Sequence, residues 1–234
     1  MNALDAARAF VDRHFPECNV AFLAGSASRG QETATSDLDI VVFTSKHVSY
    51  NKSLHDFGWP IEVFVEDSAF YKIYIERLIN GCPTMALMCS EGLVIKDTDG
   101  LAQQIKDEAN KFLEAGPAPF TEKQTRDYRY GITKLLEDFT DTEDFGENIF
   151  NVNRLTVLSC HLLLAYKHQW IGEGKWLLRS LRKTDTHLAQ QLVEALEAFY
   201  RNNTKENLII FVNEALELVG GQLSDGYTID FMNR

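Results

Sequence analysis

The sequence predicts an α+β protein: a small mixed sheet with flanking helices over residues 1–115, followed by an all-α helical bundle over residues 120–234. Three observations lead there. Short apolar runs of strand length alternate with helical patterns in the first half of the chain and then disappear. The stretch AGPAPF, Ala115 to Phe120, places Gly116, Pro117 and Pro119 close together, which stops a helix and stiffens a linker. From Thr121 onward the apolar residues recur with helical period only, the pattern of an appended bundle.

Taken in order, Ala6, Ala7, Phe10, Val11 and Phe15 share helical spacing and predict an opening helix from Ala3 to Phe15. Val20 to Leu23 is a short apolar strand leading into Gly25-Ser26, a helix is expected next, and a second strand ends near Phe43. Lys46 to Trp59 is polar and aperiodic, which predicts a loop. Ile61, Val63 and Val65 alternate with Glu62, Phe64 and Glu66, a strand with one face not fully apolar. Ser68 can cap a helix running to Asn80-Gly81. A helical turn, a short strand at Leu93 to Ile95 and a helix from about Asp99 to Glu114 complete the first half. The expected helices of the second half run over 121–139, 147–171, 175–182, 185–200 and 204–219, with a last strand at Tyr227 to Phe231.

The chemistry begins in residues 25 to 43, GSASRGQETATSDLDIVVF. Residues two apart in a strand project to one face, so Asp37 and Asp39 stand side by side at the mouth of a strand that is otherwise apolar. Two carboxylates that close repel unless a cation lies between them, which points to a Mg²⁺-type site. The Gly25-Ser26 turn leaves backbone N–H groups facing outward, a cradle for phosphate. Ser26 and Ser36 add hydroxyls and Arg29 adds a charge. Metal-binding carboxylates facing a phosphate cradle suit phosphoryl or nucleotidyl transfer. Further along, Lys175 and Arg179 lie four apart on one helix face after a Gly-bracketed turn, placed to hold a triphosphate or a leaving pyrophosphate.

Composition narrows the partners. The 234 residues are 45% hydrophobic and 11% aromatic, enough for a real core, and 23 Lys+Arg against 34 Asp+Glu give a net charge of −11. Phosphate neutralisation needs clustered Lys and Arg, so no nucleic-acid partner is expected and a small cationic acceptor fits better. Cys18, Cys82, Cys89 and Cys160 lack CxxC spacing and read as free, buried thiols in a reducing cytoplasm. MNALDAARAF does not read as a signal peptide, and VLSCHLLLAY is too short to span a bilayer, so no membrane association is expected.

The string G-S, R-G, then S-D-L-D running into an apolar strand resembles the signature of the DNA polymerase β-like nucleotidyltransferases. WPIEVFVEDS, SEGLVIKD, the helical second half and DGYTIDF look further like aminoglycoside nucleotidyltransferases of the kanamycin type. The resemblance implies a small nucleotidyltransferase sheet, a nucleoside triphosphate co-substrate (ATP), and two Mg²⁺ ions completed by a third carboxylate on a neighbouring strand. Glu62 is the candidate and Glu66, on the same face, the second choice. It also implies a general base from the helical half, which falls in KLLEDF on Asp138 or Glu137. Helical neighbours project about 100° apart, so only one of them points the right way, with Asp138 preferred.

The expected enzyme therefore moves AMP from ATP to a hydroxyl of a small, cationic, aminoglycoside-like acceptor with release of pyrophosphate, acting as a monomer or homodimer. The competing reading is a nucleotidyltransferase-like antitoxin or regulator that binds or AMPylates a protein partner. Arg182 and His187 even match an R-x4-H spacing found in toxin ribonucleases.

Overall fold

The computed structural model describes residues 1–228. The chain divides into two compact units, Met1–Ala115 and Gly116 onward. The terminal strand expected at Tyr227 to Phe231 lies largely outside the described residues, and Tyr227 and Thr228 are not in a strand.

The first unit holds strands β1 (Val20–Leu23), β2 (Leu38–Thr44), β3 (Ser49–Asp56), β4 (Trp59–Asp67) and β5 (Leu93–Asp97), with helices α1 (Ala3–His14), α2 (Tyr71–Glu76), α3 (Thr84–Glu91) and α4 (Leu101–Ala115). They form one mixed sheet in the order β3-β4-β2-β1-β5. β2 and β4 run parallel, and the other neighbours are antiparallel. The strand alternation decides what each face meets. Ala21, Leu23, Ile40, Val42, Ile61, Val63 and Val65 point to α1 and close a core with Ala6, Ala7, Phe10 and Val11. Val20, Phe22, Val41 and Phe43 point the other way and pack on Ile75 of α2, Met85 and Cys89 of α3, and Ile105 of α4. Central β1 and β2 are covered on both faces, which is why they read as continuous apolar runs.

Three expectations are corrected. The segment predicted as a loop from Lys46 to Trp59 contains β3, an edge strand of sequence SYNKSLHD that is almost wholly exposed. Its polar side chains face solvent on both faces, so no apolar alternation marks it. β3 turns into β4 at Phe57 and Gly58, both at positive φ (50° and 82°), the two-residue hairpin turn that matches strand twist. Second, the helix expected after Gly25-Ser26 is a single 3₁₀ turn, Ala27–Arg29, ended by Gly30 in the left-handed region. Third, the helix predicted up to Asn80-Gly81 stops at Glu76. Its approach is capped not by Ser68 but by Asp67, whose carboxylate accepts from the Ala69 N–H at 2.9 Å.

The second unit is helical: α5 (Glu122–Asp141), α6 (Phe145–Tyr166), α7 (Lys175–Thr184), α8 (Thr186–Asn202) and α9 (Glu206–Glu217). Thr121 opens α5 with a capping box completed by Gln124, so the helix starts where the proline-rich linker ends. Asp144 and Asp185 cap α6 and α8. The core runs through Ile132, Leu136 and Phe139 of α5, Leu155 and Leu163 of α6, Leu181 of α7, Leu192 and Phe199 of α8, and Leu208 and Phe211 of α9. Among the described residues no helix is long and apolar enough to cross a membrane. All four cysteines are free and buried. Burial away from any charge partner pushes the Cys160 thiol up to about 12, which leaves it in the unreactive protonated form.

Candidate active site

Asp39 is the centre of the site, and the sheet places a neighbour on each side of it. On one side β1 ends at Leu23 opposite Ile40, and the Ala24 N–H continues the ladder to the Asp39 carbonyl at 2.8 Å. The next residue, Gly25, turns the chain at φ 67°. A Cβ built there would lie 1.9 Å from Oδ2 of Asp39, so only glycine admits the carboxylate at this position. On the other side, parallel β4 sets Glu62 directly opposite Asp39 in the register. Both belong to the sheet face that packs on α2–α4, at the end where apolar packing stops.

Asp37 stands just ahead of β2 and is exposed, while Asp39 and Glu62 are half-buried. One carboxylate oxygen from each of these three residues lies within 4.8 Å of the others. Three negative side chains in that space repel one another, and an all-oxygen donor set of this kind suits a hard divalent cation. Glu66, the second choice for the third carboxylate, goes elsewhere. It pairs with Phe43 further along the ladder, is buried, and binds the Arg77 guanidinium at 2.5 Å.

The phosphate-type donors gather along the Gly25 turn. Ser26 Oγ donates to Ser36 Oγ at 3.3 Å, and Ser36 Oγ accepts the Thr33 N–H at 2.9 Å, which ties the two ends of the connecting loop together. Because the turn leads only into three residues of 3₁₀ helix, it presents loop N–H groups and hydroxyls and not a helix dipole. Arg29, at the end of that turn, directs Nη1 to Glu91 Oε2 at 3.0 Å and Nε to Gln31 Oε1 at 3.4 Å. Sequence reasoning missed Glu91, which lies far from Arg29 in the chain and carries no motif.

The remaining candidates lie on the second unit. Glu137 and Asp138 follow one another on α5, both exposed. Glu137 accepts from Lys134 Nζ at 2.7 Å and from Ser224 Oγ at 2.9 Å, and these two donors hold its carboxyl below the ordinary carboxylate range. The Asp138 side chain makes no such bond among the described residues. Lys175 and Arg179 begin α7, and the Arg179 guanidinium sits 4.5 Å from the Trp176 ring centroid. A Cβ on Gly172 would come within 2.5 Å of the Trp176 backbone, so the turn before α7 is folded tightly onto its first residues.

Residues 4–111, nearly the whole of the first unit, match the family model of the nucleotidyltransferase domain. The match supports a transferase, and domains of this family in general use a nucleoside triphosphate and move a nucleoside monophosphate. A solved structure of a nucleotidyltransferase-like protein from Exiguobacterium sibiricum is similar at 16% identity and a TM-score of 0.44, over 92% of this chain and 74% of that one. No curated protein matches the chain. Over the matched residues, the mixed sheet with flanking helices agrees with the fold class read from the sequence.

Proposed function

We propose that this chain transfers AMP from ATP to a hydroxyl of a small cationic acceptor of the aminoglycoside type and releases pyrophosphate. The observation that supports this reading most is the convergence of Asp37, Asp39 and Glu62, with Gly25 leaving room for the Asp39 carboxylate. The donor set fits Mg²⁺, and these three side chains are its proposed ligands. When bound, two such ions would lower the pKa of the acceptor hydroxyl and offset charge on the α-phosphate and the leaving group.

The chain's own groups have the other roles. The N–H groups of the Gly25 turn, with Ser26, Ser36 and Arg29, hold the phosphates. The acceptor oxygen forms its bond to the α-phosphorus as the bond to the β-phosphate oxygen breaks, and Asp138 takes the hydroxyl proton. Glu137 is the poorer base of the pair, since Lys134 and Ser224 already occupy it. Lys175 and Arg179 steady the triphosphate and the departing pyrophosphate. A cationic acceptor is supported by the exposed acidic run Glu137, Asp138, Asp141, Glu143, Asp144 and Glu147, within a chain of net charge −11.

The test is pyrophosphate release by the purified protein with Mg²⁺, each of the four nucleoside triphosphates and a panel of aminoglycosides. Release that needs both ATP and an aminoglycoside, and that is lost in Asp39→Asn, supports the proposal. Incorporation of labelled AMP into protein with no small-molecule acceptor would replace it with the protein-modifying alternative.

A further inference from the structure

The Gly25 turn leaves one backbone carbonyl to a side chain. The Ala24 carbonyl accepts the Ser28 N–H at 3.3 Å, and the Ala27 carbonyl accepts the Gly30 N–H at 3.3 Å. Between them, the Ser26 carbonyl accepts the Arg29 and Gln31 N–H groups at 3.1 and 3.0 Å. The backbone passes over the Gly25 carbonyl. Its hydrogen bond comes from the Ser28 hydroxyl, with Oγ 2.9 Å from the Gly25 oxygen.

That bond sets the direction of the next donor. The Gly25 C=O and the Ser26 N–H belong to one peptide unit, which is planar and trans, so the two groups point in opposite directions. With the carbonyl turned to Ser28, the half-buried Ser26 turns its N–H the other way, where it meets no acceptor among the described residues. Glycine alone would not fix this orientation. At φ 67° and without a Cβ, Gly25 lets the peptide plane that follows it rotate at little cost. The chain on either side is held: the Ala24 N–H is tied to the Asp39 carbonyl at 2.8 Å, and Ala27 is buried in the core shared with α1. Rotation of the plane between them is the freedom that Ser28 removes.

From this we infer that Ser28 is a positioning residue: its hydroxyl locks the Gly25–Ser26 peptide so that the Ser26 N–H is presented to a phosphate oxygen of the triphosphate. A half-buried donor without a partner costs free energy, which an anionic oxygen offsets on binding. A donor aligned in advance also spares the bound state the ordering of that peptide. The inference rests on the proposed phosphate role of the Gly25 turn.

The experiment measures binding of ATP and of inorganic tripolyphosphate, each with Mg²⁺, by calorimetry in the full chain, and follows the Ser26 amide by proton–nitrogen NMR. Tripolyphosphate should move the Ser26 amide proton downfield in the wild type. Ser28→Ala is expected to weaken both ligands about fivefold, the scale of one ordinary hydrogen bond, and to reduce that downfield movement. Ser28→Thr, which keeps the hydroxyl, should stay within about twofold of wild type in affinity, while Ser28→Val, of nearly the same shape, should behave as Ser28→Ala. The threonine and valine pair carries the test should the alanine variant not fold. Wild-type affinity in Ser28→Ala and Ser28→Val, or an equal loss in Ser28→Thr and Ser28→Val, overturns the inference while leaving the phosphate role of the turn standing. A wild-type Ser26 amide that tripolyphosphate leaves unmoved overturns that role for Ser26, and the inference with it.

Discussion

Glu62 lies directly opposite Asp39 across the parallel pair β4 and β2, and the Gly25 turn closes on Asp39 from the other side. The carboxylate of Asp39 is therefore held by backbone geometry on both flanks. Gly25→Ala tests this most directly. A methyl group there would overlap Oδ2 of Asp39, and the left-handed φ adds a cost of about 1–2 kcal/mol. We expect Mn²⁺ affinity and transfer to fall at least about 10²-fold, with only a modest drop in melting temperature. Retained Mn²⁺ binding would show that Asp39 is free to move.

Asp37→Asn and Asp39→Asn should each abolish transfer with the fold intact, as read by pyrophosphate release and circular dichroism. Each removes one negative charge from a cluster of three within 4.8 Å, so in the absence of divalent metal the melting temperature should rise slightly. That gain should shrink or reverse when Mg²⁺ is added. Near-normal turnover in either variant would remove that residue from the proposed metal site.

For the proposed base, the two neighbours on α5 should separate. Asp138→Asn is expected to lower kcat about 10²-fold or more with ATP affinity unchanged, because a lost base weakens the transition state and not the ground-state complex. Glu137→Gln should be mild, since Lys134 and Ser224 already engage that carboxylate. The opposite ranking would move the base to Glu137. Indifference at both positions would take the base off α5.

Acid stability should report on Asp67, a buried carboxylate at the end of β4. The Ala69 N–H, and then His47, hold its carboxyl below the ordinary carboxylate range in the folded state. A depressed folded pKa stabilises the protein above the unfolded value of about 3.9, and that stabilisation is lost as the pH falls through the lower folded value. Asp67→Asn should thus lower the melting temperature at neutral pH and lower it progressively less in acid below that range. A difference that stays constant from neutral to strongly acidic pH would contradict this.

What could be read from the sequence follows from where each signal is stored. β2 was legible because both faces are buried, so Ile40 to Phe43 is uninterrupted apolar sequence following directly on the paired aspartates. Glu62 was legible because β4 alternates, which puts it on the opposite face from Ile61 and Val63. β3 was not, because an edge strand with two wet faces has no apolar period to detect. Local spacing also overstated the helix after Ser26, since Gly30 ends it within one turn. Contacts between distant positions were invisible to any local pattern: Glu91 meets Arg29 across 62 positions of the chain, and Glu66, opposite Phe43 further along β4, binds Arg77.

The pairing of β2 with β4 makes the three-carboxylate centre an all-or-none property of strand phase. If β4 slid by a single residue, Ile61 or Val63 would come opposite Asp39, and Glu62 would turn toward the apolar layer beneath α1. A carboxylate in that layer has no partner, so a slipped strand forfeits core packing and the Asp39–Glu62 juxtaposition together. Errors of alignment in this sheet are consequently rejected by folding itself, and a molecule that has folded at all carries Glu62 beside Asp39.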